Sequence, residues 1–530
     1  IFNVPFGSGR AITLEASSSS RERFASFAGD EDQFAVYASD RSGEYEIYKR
    51  NSRTGADDTQ ITKPGDGRLG KYIYGLAVSP DGDKVAFSDE TGALYFTGLT
   101  TPTVERVAKS DVWELRDYSW SPDSRYIAYA NYQSNEYSRV FVYDLESKTS
   151  TPVTDPHLSS ENPAWDPDGK YLFFLSSRSF NPWNGRVDYE TIMAPMTRPY
   201  GIALQADGKN PFLAPDPYEA ADEAEAKKAE EKKKAEEAKK KAEEEKKADE
   251  AKDDEAKEGD EAPDADDAEA KDGDSEDGDE EKKPKVEPIK IDFEGITNRT
   301  FAFPGEPQDL GGLIAAKGRI FYSSYPLRGR NEDSWGIGEP DDAQLLTFDY
   351  TDYENEEETF GSGIMGYSMS RNQEHLWYRT SAGLFVVPAT SGKANPEAKS
   401  ARIDEIRVRV NPTEEWAQIL EECYRLNRDF FYLRDMAGVD WRAMADRYKA
   451  LLPRISNRAD LNDVLGNLIG ELGHGHTYVW GGGDTGRGAA PVPTGQLGAN
   501  FELDAASGKW RFADVHTGDR GLMDGVAPLG

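Results

Sequence analysis

The sequence predicts a multidomain, mainly β protein, in which a β-propeller of about six or seven blades precedes a small α-helical domain. Two observations support this prediction. A strand–turn–strand unit returns about every forty residues, and the apolar pattern changes from a strand period to a helix period after residue 408. The length of 530 residues is too great for one hydrophobic core, which also favours several domains.

Three strong copies of the repeat define the blades. They read LAVSPDGDKVAFS from Leu76, YSWSPDSRYIAYA from Tyr118 and PAWDPDGKYLFFL from Pro163. In the turn, proline fixes φ, aspartate bonds to the backbone two residues on, and glycine takes the left-handed conformation. The alternating apolar flanks predict antiparallel strands, so each unit is one small sheet of a WD-like or TolB-like propeller.

Weaker copies of the repeat begin at Gln33, Gly318 and Gly366. They bring the count to about six blades, and a seventh is expected only if Ala11-Ile12-Thr13-Leu14 closes the ring. A β-sandwich also has short, regularly spaced strands, but it does not repeat the same turn sequence at a fixed period. We therefore predict that residues 1–408 form a propeller.

A charged tract at 218–285 interrupts the propeller region. It consists mostly of Glu, Lys, Ala and Asp, and such a composition cannot build a hydrophobic core. The first half pairs Glu and Lys at helical spacing and predicts a solvated helix, whereas the Asp- and Gly-rich second half predicts disorder. We interpret the tract as a tolerated surface insertion rather than a tether for a basic partner.

The helical domain is predicted at 409–480. Asn411-Pro412-Thr413-Glu414 supplies a cap, a proline at the first helical position and an acid near the positive end of the helix dipole. A second helix should follow Asp440, and a third should run from about Arg458 to Gly473. The predicted inward positions are Trp416, Ile419, Leu420, Cys423, Leu426 and Phe430, then Trp441, Met444, Tyr448 and Leu451, then Leu461, Val464, Leu465, Leu468, Ile469 and Leu472. Cys423 is interpreted as a core residue rather than a nucleophile because it falls on an apolar face.

Two histidines follow the third predicted helix. His474 and His476 stand in a glycine-rich junction ahead of an expected strand, Tyr478-Val479-Trp480. Their spacing leaves three interpretations open: a general base, a metal site completed by Glu471, or imidazoles that cap the helix C-terminus.

A series of short motifs in this region resembles the first core domain of the tricorn protease family. The motifs are NPTEEW from Asn411, RLNRDFF from Arg425, GVDW from Gly438, LLPR from Leu451, RADLND from Arg458 and GELG from Gly470. Their order, directly behind a propeller, makes the resemblance specific. It extends over the whole chain apart from the charged tract.

The resemblance implies a role for His476. In that family a histidine at the end of this motif is the general base of a serine peptidase, and His476 is the matching residue. The family pattern has a serine beside this histidine, where the present sequence has Gly475, so another group would have to orient the imidazole. The resemblance also implies no metal ion, no cofactor, peptide substrates and a homo-oligomer for the full-length protein.

The C-terminal residues complete the predicted domain order. Residues 481–495 are rich in Gly and Pro and are expected to form a linker. Residues 496–530 resemble the beginning of the family's PDZ-like domain, with opening strands at 497–503 and 509–512. The nucleophilic serine and the oxyanion hole are expected beyond Gly530, and this chain alone is expected to be inactive.

The predicted function is therefore that of part of a tricorn-like serine peptidase, with the propeller guiding or filtering peptides and His476 acting as general base. The alternative is a non-catalytic propeller scaffold that binds peptides or proteins. A prolyl-oligopeptidase-like hydrolase would also join a propeller to a catalytic domain, but it would need a nucleophile elbow downstream.

The overall charge limits the classes of partner. A formal net charge of -35 argues against nucleic acids and anionic membranes, which require clustered Lys and Arg. The chain has no apolar run of about eighteen residues, so no membrane span is expected. One cysteine fits a cytoplasmic location. Because the sequence starts at Ile1 without Met, we expect the native N-terminus to be missing, which leaves a periplasmic or secreted location as the alternative.

Overall fold

The structure is a computed structural model of the chain. It describes residues 1–6, 10–56, 58–180, 182–184, 190–214, 287–326, 343–395, 398, 400–403, 406–483 and 497–517. Its contacts divide the chain into two compact units, Ile1–Ala445 and Asp446–Gly530. The domain boundary predicted at residue 408 stays a prediction.

The strands are numbered in chain order. They are β1 Phe2–Asn3, β2 Ile12–Thr13, β3 Glu22–Ala28, β4 Phe34–Ser39, β5 Glu46–Asn51, β6 Thr59–Gln60, β7 Ile73–Val78, β8 Lys84–Asp89, β9 Ala93–Gly98, β10 Glu105–Lys109, β11 Tyr118–Trp120, β12 Tyr126–Tyr132, β13 Ser138–Asp144, β14 Thr149–Pro152, β15 Ser160–Trp165, β16 Tyr171–Ser177, β17 Trp183–Asn184, β18 Thr191–Ile192, β19 Thr197–Ala203, β20 Thr300–Ala302, β21 Asp309–Ala316, β22 Arg319–Tyr325, β23 Gln344–Asp349, β24 Glu357–Ser362, β25 Gly366–Met369, β26 His375–Thr380, β27 Gly383–Pro388, β28 Ala499–Asp504 and β29 Lys509–Val515.

The helices lie mainly after the strands of the first unit. The α-helices are α1 Pro412–Phe430, α2 Trp441–Lys449 and α3 Arg458–Gly470. Single turns of 3-10 helix are described at Asp30–Asp32, Ile296–Arg299, Met436–Gly438 and Leu452–Arg454. Within the described part of the chain, no helix is both long and apolar enough to cross a membrane.

Six antiparallel sheets in the described residues form the blades of a propeller. Five have four strands each, β3 to β6, β7 to β10, β11 to β14, β15-β16-β19-β20 and β21 to β24, and the sixth has β25 to β27. The first strands of successive sheets contact each other, from β3 through β7, β11, β15 and β21 to β25. These first strands therefore surround the axis, and the predicted mainly β fold with six blades is confirmed.

The repeated turn sequence behaves as its residues predict. Gly82 and Gly169 have φ of 75° and 68°, and Ser124 takes the same left-handed conformation with φ of 59°. The turn is closed by backbone bonds such as that from the Ser79 N–H to the Lys84 carbonyl, 2.9 Å long. This turn fixes the register between the first and second strands of a blade.

The core lies between the sheets rather than in one centre. Clusters of buried side chains fill the space between the first and second sheets and then between each following pair up to the sixth. The second strand of a blade is buried on both faces, as in β8, where Val85, Ala86 and Phe87 are all inaccessible to solvent. This explains why these strands are nearly continuous apolar runs.

Aromatic side chains cover the open edges of the first strands. The indole N–H of Trp120 donates to the Ala77 carbonyl of the preceding sheet at 2.8 Å, and that of Trp165 donates to the Ser119 carbonyl at 3.2 Å. The Tyr367 hydroxyl donates in the same way to the Gly312 carbonyl at 2.7 Å. These bonds join neighbouring blades and satisfy backbone groups that an edge strand would leave unpaired.

Arg371 connects the last blade to the first two. It lies in the turn after β25 and donates to the carbonyls of Gly29 at 2.8 Å and Pro80 at 2.9 Å, and to the Asp32 carboxylate at 2.9 Å. Gly29 in turn donates its N–H to the Gly82 carbonyl at 2.8 Å. The ring of six sheets is thus closed through three neighbouring turns.

The conditional seventh blade is not formed in the described residues. Ile12 and Thr13 pair with Phe2 and Asn3 in a separate two-stranded sheet, so the segment 11–14 does not supply a blade strand. Two paired residues are too few to form a blade, and the few apolar residues of this segment do not define a blade strand.

The charged tract at 218–285 lies outside the described residues, and both structural predictions for it remain untested. Its position in the chain is informative, because it falls between β19 and β20, the third and fourth strands of the fourth sheet. These strands pair in register from Tyr200 with Ala302 to Ile202 with Thr300. The fourth sheet therefore keeps all four strands although the tract separates the third from the fourth in sequence.

The three predicted helices are present, with corrections to their boundaries and faces. Phe430, predicted to face inward, is 44% exposed because it is the last residue of α1. The third helix ends at Gly470 rather than Gly473. Leu451 is 38% exposed, because α2 stops at Lys449 and the buried positions are Trp441, Ala445 and, in the following turn, Leu452. α1 starts at Pro412 as predicted, but the side chain of Asn411, at the N-cap position, makes no capping hydrogen bond.

The expected strand at 478–480 is not formed. Residues 477–483 have no regular structure, and Tyr478 and Trp480 are 68% and 80% exposed. The β-branched and aromatic residues at 478–480 favour a strand, but a strand needs a neighbouring strand to pair with, and the described residues provide none here. The strands predicted at 497–503 and 509–512 do form a hairpin, β28 with β29, although the structure does not identify it as part of a PDZ-like domain.

A buried cluster of charges attaches α1 to the first sheet of the propeller. Arg425, 7% exposed, donates to the carboxylates of Asp40 and Glu422, the latter at 2.8 Å, and to the Gly43 carbonyl at 2.9 Å. The Tyr45 hydroxyl also donates to Glu422, at 2.9 Å. The predicted apolar face of α1 is therefore only part of the contact, since Glu422 and Arg425 are buried beside Trp416 and Leu420.

Candidate functional site

The candidate site is the junction that follows α3. Asn457 caps this helix by accepting a bond from the Asp460 N–H at 3.0 Å, and Leu472 is buried just beyond its end. The chain then turns through Gly473, which has φ of 67°. The junction is anchored by Leu472 and continues as an exposed segment.

His476 stands in this segment in a left-handed backbone conformation, with φ of 60°. Few non-glycine residues adopt this region, and those that do are often found at functional sites. The imidazole is exposed to solvent. An accessible imidazole in this position can exchange protons with a bound molecule.

The Tyr478 hydroxyl is the hydrogen-bond partner of the His476 ring among the described residues. Its oxygen lies 3.4 Å from Nδ1 of His476. The two rings are edge to face, with centroids 6.5 Å apart and planes at 74°. The bond is long for a hydrogen bond to a ring nitrogen.

His474 has a different environment. Its Nδ1 lies 2.5 Å from the Leu472 carbonyl oxygen. A carbonyl can only accept a hydrogen bond, so Nδ1 of His474 carries the proton. The backbone thus holds this ring against the end of α3, in agreement with a capping role.

The metal interpretation required His474, His476 and Glu471 to converge. Glu471 instead accepts a bond from the Tyr448 hydroxyl at 2.7 Å and lies 3.9 Å from Arg447. In the described ranges, no group of three His, Cys, Asp or Glu side chains is placed to hold a metal ion.

Gly475, which stands where the family pattern has serine, lies in open space. A Cβ atom added there would meet nothing within 4 Å. The absence of a side chain at 475 is therefore not imposed by crowding.

Cys423, the alternative nucleophile that sequence reasoning set aside, is half-buried on α1. Burial raises the pKa of its thiol to about 11. Asn427 donates to its sulfur at 3.8 Å and to its carbonyl at 2.9 Å. A thiol with so high a pKa is a poor nucleophile, which supports a structural role.

A second feature lies inside the propeller, a cavity of about 520 Å³ lined by the first strands of the third to sixth sheets. Asn162 bridges three of these sheets, since it donates to the Asp117 carboxylate and accepts from the Gly312 N–H, both at 2.9 Å. Burial raises the pKa of Asp117. The wall also contains Trp120 and Tyr367, so both polar and aromatic groups face a ligand-sized space.

Two family models match successive parts of the chain. Residues 1–390 match the family model of the tricorn protease second beta propeller domain, and residues 412–470 match that of the tricorn protease C1 domain. His476 follows the second match by six residues.

Curated relatives cover most of this chain. Tricorn protease homolog 1 of Streptomyces coelicolor is 26% identical over 99% of the chain and 44% of its own length. A tricorn protease homolog of Saccharolobus solfataricus is 24% identical over 86% of the chain and 36% of its own length. The chain thus spans less than half the length of these relatives.

A solved structure shares the fold. The crystal structure of the tricorn protease superposes with a TM-score of 0.69 and 19% identity, covering 96% of this chain and 42% of that one. The match of a tricorn propeller model to residues 1–390, well over half of the sequence, shows that the chain belongs to the tricorn protease family.

Proposed function

We propose that this chain is part of a serine peptidase that hydrolyses peptides through an acyl-enzyme, with His476 as the general base and the nucleophilic serine beyond Gly530. The family membership supports peptidase activity for the full-length protein. The observation that carries the role of His476 is its exposed, left-handed position directly after the C1-like helices.

The chemistry asked of His476 is proton transfer in two directions. As general base it takes the proton of the serine hydroxyl during attack on the peptide carbonyl. As general acid it returns that proton to the leaving amine. Both steps use a ring nitrogen that must be free of other bonds, and Nε2 of His476 accepts none from the described residues.

The propeller would guide or filter the substrate. A cavity of about 520 Å³ can hold a few residues of an extended peptide but not a folded domain. Peptides are accordingly the proposed partners. A homo-oligomer of the full-length protein and a cytoplasmic location belong to the same proposal.

The test is peptide hydrolysis by the full-length protein. His476→Ala should lower kcat/KM for short fluorogenic peptides by about 10⁴-fold or more, as loss of a catalytic base does in serine peptidases. The matched control is His157→Ala, because the His157 side chain is 79% exposed in the loop between the third and fourth sheets. Its rate should equal that of wild type.

An unchanged rate in His476→Ala would remove this residue from the mechanism. The alternative function, a non-catalytic scaffold, is favoured by one observation, the glycine at 475. It predicts peptide binding without turnover in every variant, so a measurable wild-type rate excludes it.

A further inference from the structure

Tyr478 is an exposed aromatic residue that no step of the proposed mechanism uses. Its side chain is 68% exposed, and its neighbour along the chain, Trp480, lies with its ring centroid 6.3 Å away. Exposure of this degree means that Tyr478 contributes little to the core. Its hydroxyl is nevertheless within 3.4 Å of Nδ1 of His476.

A histidine that acts as general base needs its second nitrogen fixed. When Nδ1 carries the proton and donates it to an acceptor, Nε2 keeps the lone pair that accepts the serine proton. The acceptor also orients the ring and stabilises the imidazolium that forms. A phenolic oxygen can take this part because it both donates and accepts hydrogen bonds.

The other described groups of the junction are engaged elsewhere. Glu471 accepts from the Tyr448 hydroxyl at 2.7 Å. The Thr477 hydroxyl donates to the His474 carbonyl at 3.4 Å. Gly475 has no side chain to offer. In the described part of this segment, Tyr478 is thus the side chain that reaches the His476 ring.

We propose that Tyr478 is a positioning residue for His476, and that its phenolic oxygen accepts the Nδ1 proton and so leaves Nε2 free as the base. This inference rests on the proposed function of His476. In the family pattern a serine beside the histidine orients the ring, and this chain has Gly475 at that position. The proposal assigns the orienting role to Tyr478 instead.

The direct test is the tautomer of His476, measured by ¹⁵N NMR of imidazole nitrogens in this chain. The chain contains 5 histidines, so selective labelling gives few signals, and His476→Ala assigns the relevant one. His474 is an internal reference, because its Nδ1 donates to the Leu472 carbonyl and must be protonated. We expect His476 to show mainly the Nδ1–H form in wild type.

Tyr478→Phe should shift His476 towards the Nε2–H form and leave His474 unchanged. Tyr137→Phe is the matched control, since Tyr137 is also an exposed tyrosine, at 39%, and lies far along the chain in the third blade. An Nε2–H form in wild type, or the same tautomer in wild type and Tyr478→Phe, would overturn the proposal.

Kinetics of the full-length protein separate this inference from the proposed function. Tyr478→Phe should lower kcat by about tenfold or more with little change in KM, and should alter the pH profile of kcat/KM, because the basicity of His476 changes. If His476→Ala abolishes turnover and Tyr478→Phe matches wild type, only the role of Tyr478 fails. If His476→Ala is fully active, the proposed function itself fails.

Discussion

Replacement of Arg425 by alanine should strongly destabilise the unit that contains the propeller and α1. Arg425 pairs with Asp40 and Glu422, which are 5% and 6% exposed. Without the guanidinium, the two buried carboxylates face each other, and among the described residues Arg21, whose side chain is 52% exposed, is left to pair with Glu422. Removing one partner of a buried ion pair costs about 3–5 kcal/mol.

This cost should lower the melting temperature by about 6–10 °C, since each kcal/mol corresponds to about 2 °C in a large domain. Thermal unfolding followed by circular dichroism at pH 7 measures the shift. Arg434→Ala is the control, because Arg434 is exposed in the loop after α1, and such substitutions change stability by less than about 0.5 kcal/mol.

A further measurement identifies the cause. A triple variant, Arg425→Met with Asp40→Asn and Glu422→Gln, should be more stable than Arg425→Ala. If the melting temperatures of Arg425→Ala and wild type differ by no more than the error of the measurement, about 1 °C, the reasoning is refuted.

Three other predictions concern single positions. Gly82→Ala should lower the free energy of unfolding in urea by more than about 2 kcal/mol, because its φ is 75° and a Cβ would lie 2.7 Å from the Gly29 nitrogen. The control Gly43→Ala should lower it less, because Gly43 has φ of 103° but no neighbour within 4 Å. Equal losses in the two variants would contradict the role of the close approach at Gly82. Gly475→Ser should change the free energy of unfolding by less than about 0.5 kcal/mol, since the site is open, and a larger loss would show hidden crowding. The rate of alkylation of Cys423 should rise about tenfold per pH unit up to about pH 9.5, because a thiol with a pKa of about 11 is mostly protonated over that range. A rate that reaches a plateau near about pH 8.5 would indicate an ordinary thiol.

Much of the propeller could be predicted from sequence because its turns carry local information. Proline, aspartate and glycine at fixed positions determine the turn conformation, and Gly82 and Gly169 adopt it as predicted. Three blades follow from these turns, and the weaker copies of the repeat bring the count to six. The pairing of Ile12 with Asn3 could not be predicted, because two-residue strands have no periodicity to recognise.

The contact between α1 and the first sheet could not be predicted for a different reason. Helical periodicity assigns apolar residues to the buried face and charged residues to solvent. Glu422 and Arg425 break this rule because their partner, Asp40, is almost four hundred residues away in sequence, and one sequence does not indicate such a pair. Their burial is visible only in three dimensions.

The candidate site was predictable in part. The resemblance of the helical motifs drew attention to His476, and its role as a base stays a prediction. The sequence predicts that Tyr478 lies in a strand, yet the segment is irregular, and the Tyr478 hydroxyl lies near the His476 ring. A backbone turn at His476, with φ of 60°, determines this proximity, and no residue in the sequence indicates that turn.

The central claim, that His476 is the base of an acyl-enzyme peptidase, is tested most directly by trapping the intermediate. The full-length protein is mixed with an activated ester substrate, and the covalent adduct is followed by burst kinetics and mass spectrometry. We expect a stoichiometric burst and an acyl group on a serine beyond Gly530 in wild type and in His157→Ala, and neither in His476→Ala. A burst of equal size and rate in His476→Ala would contradict the account.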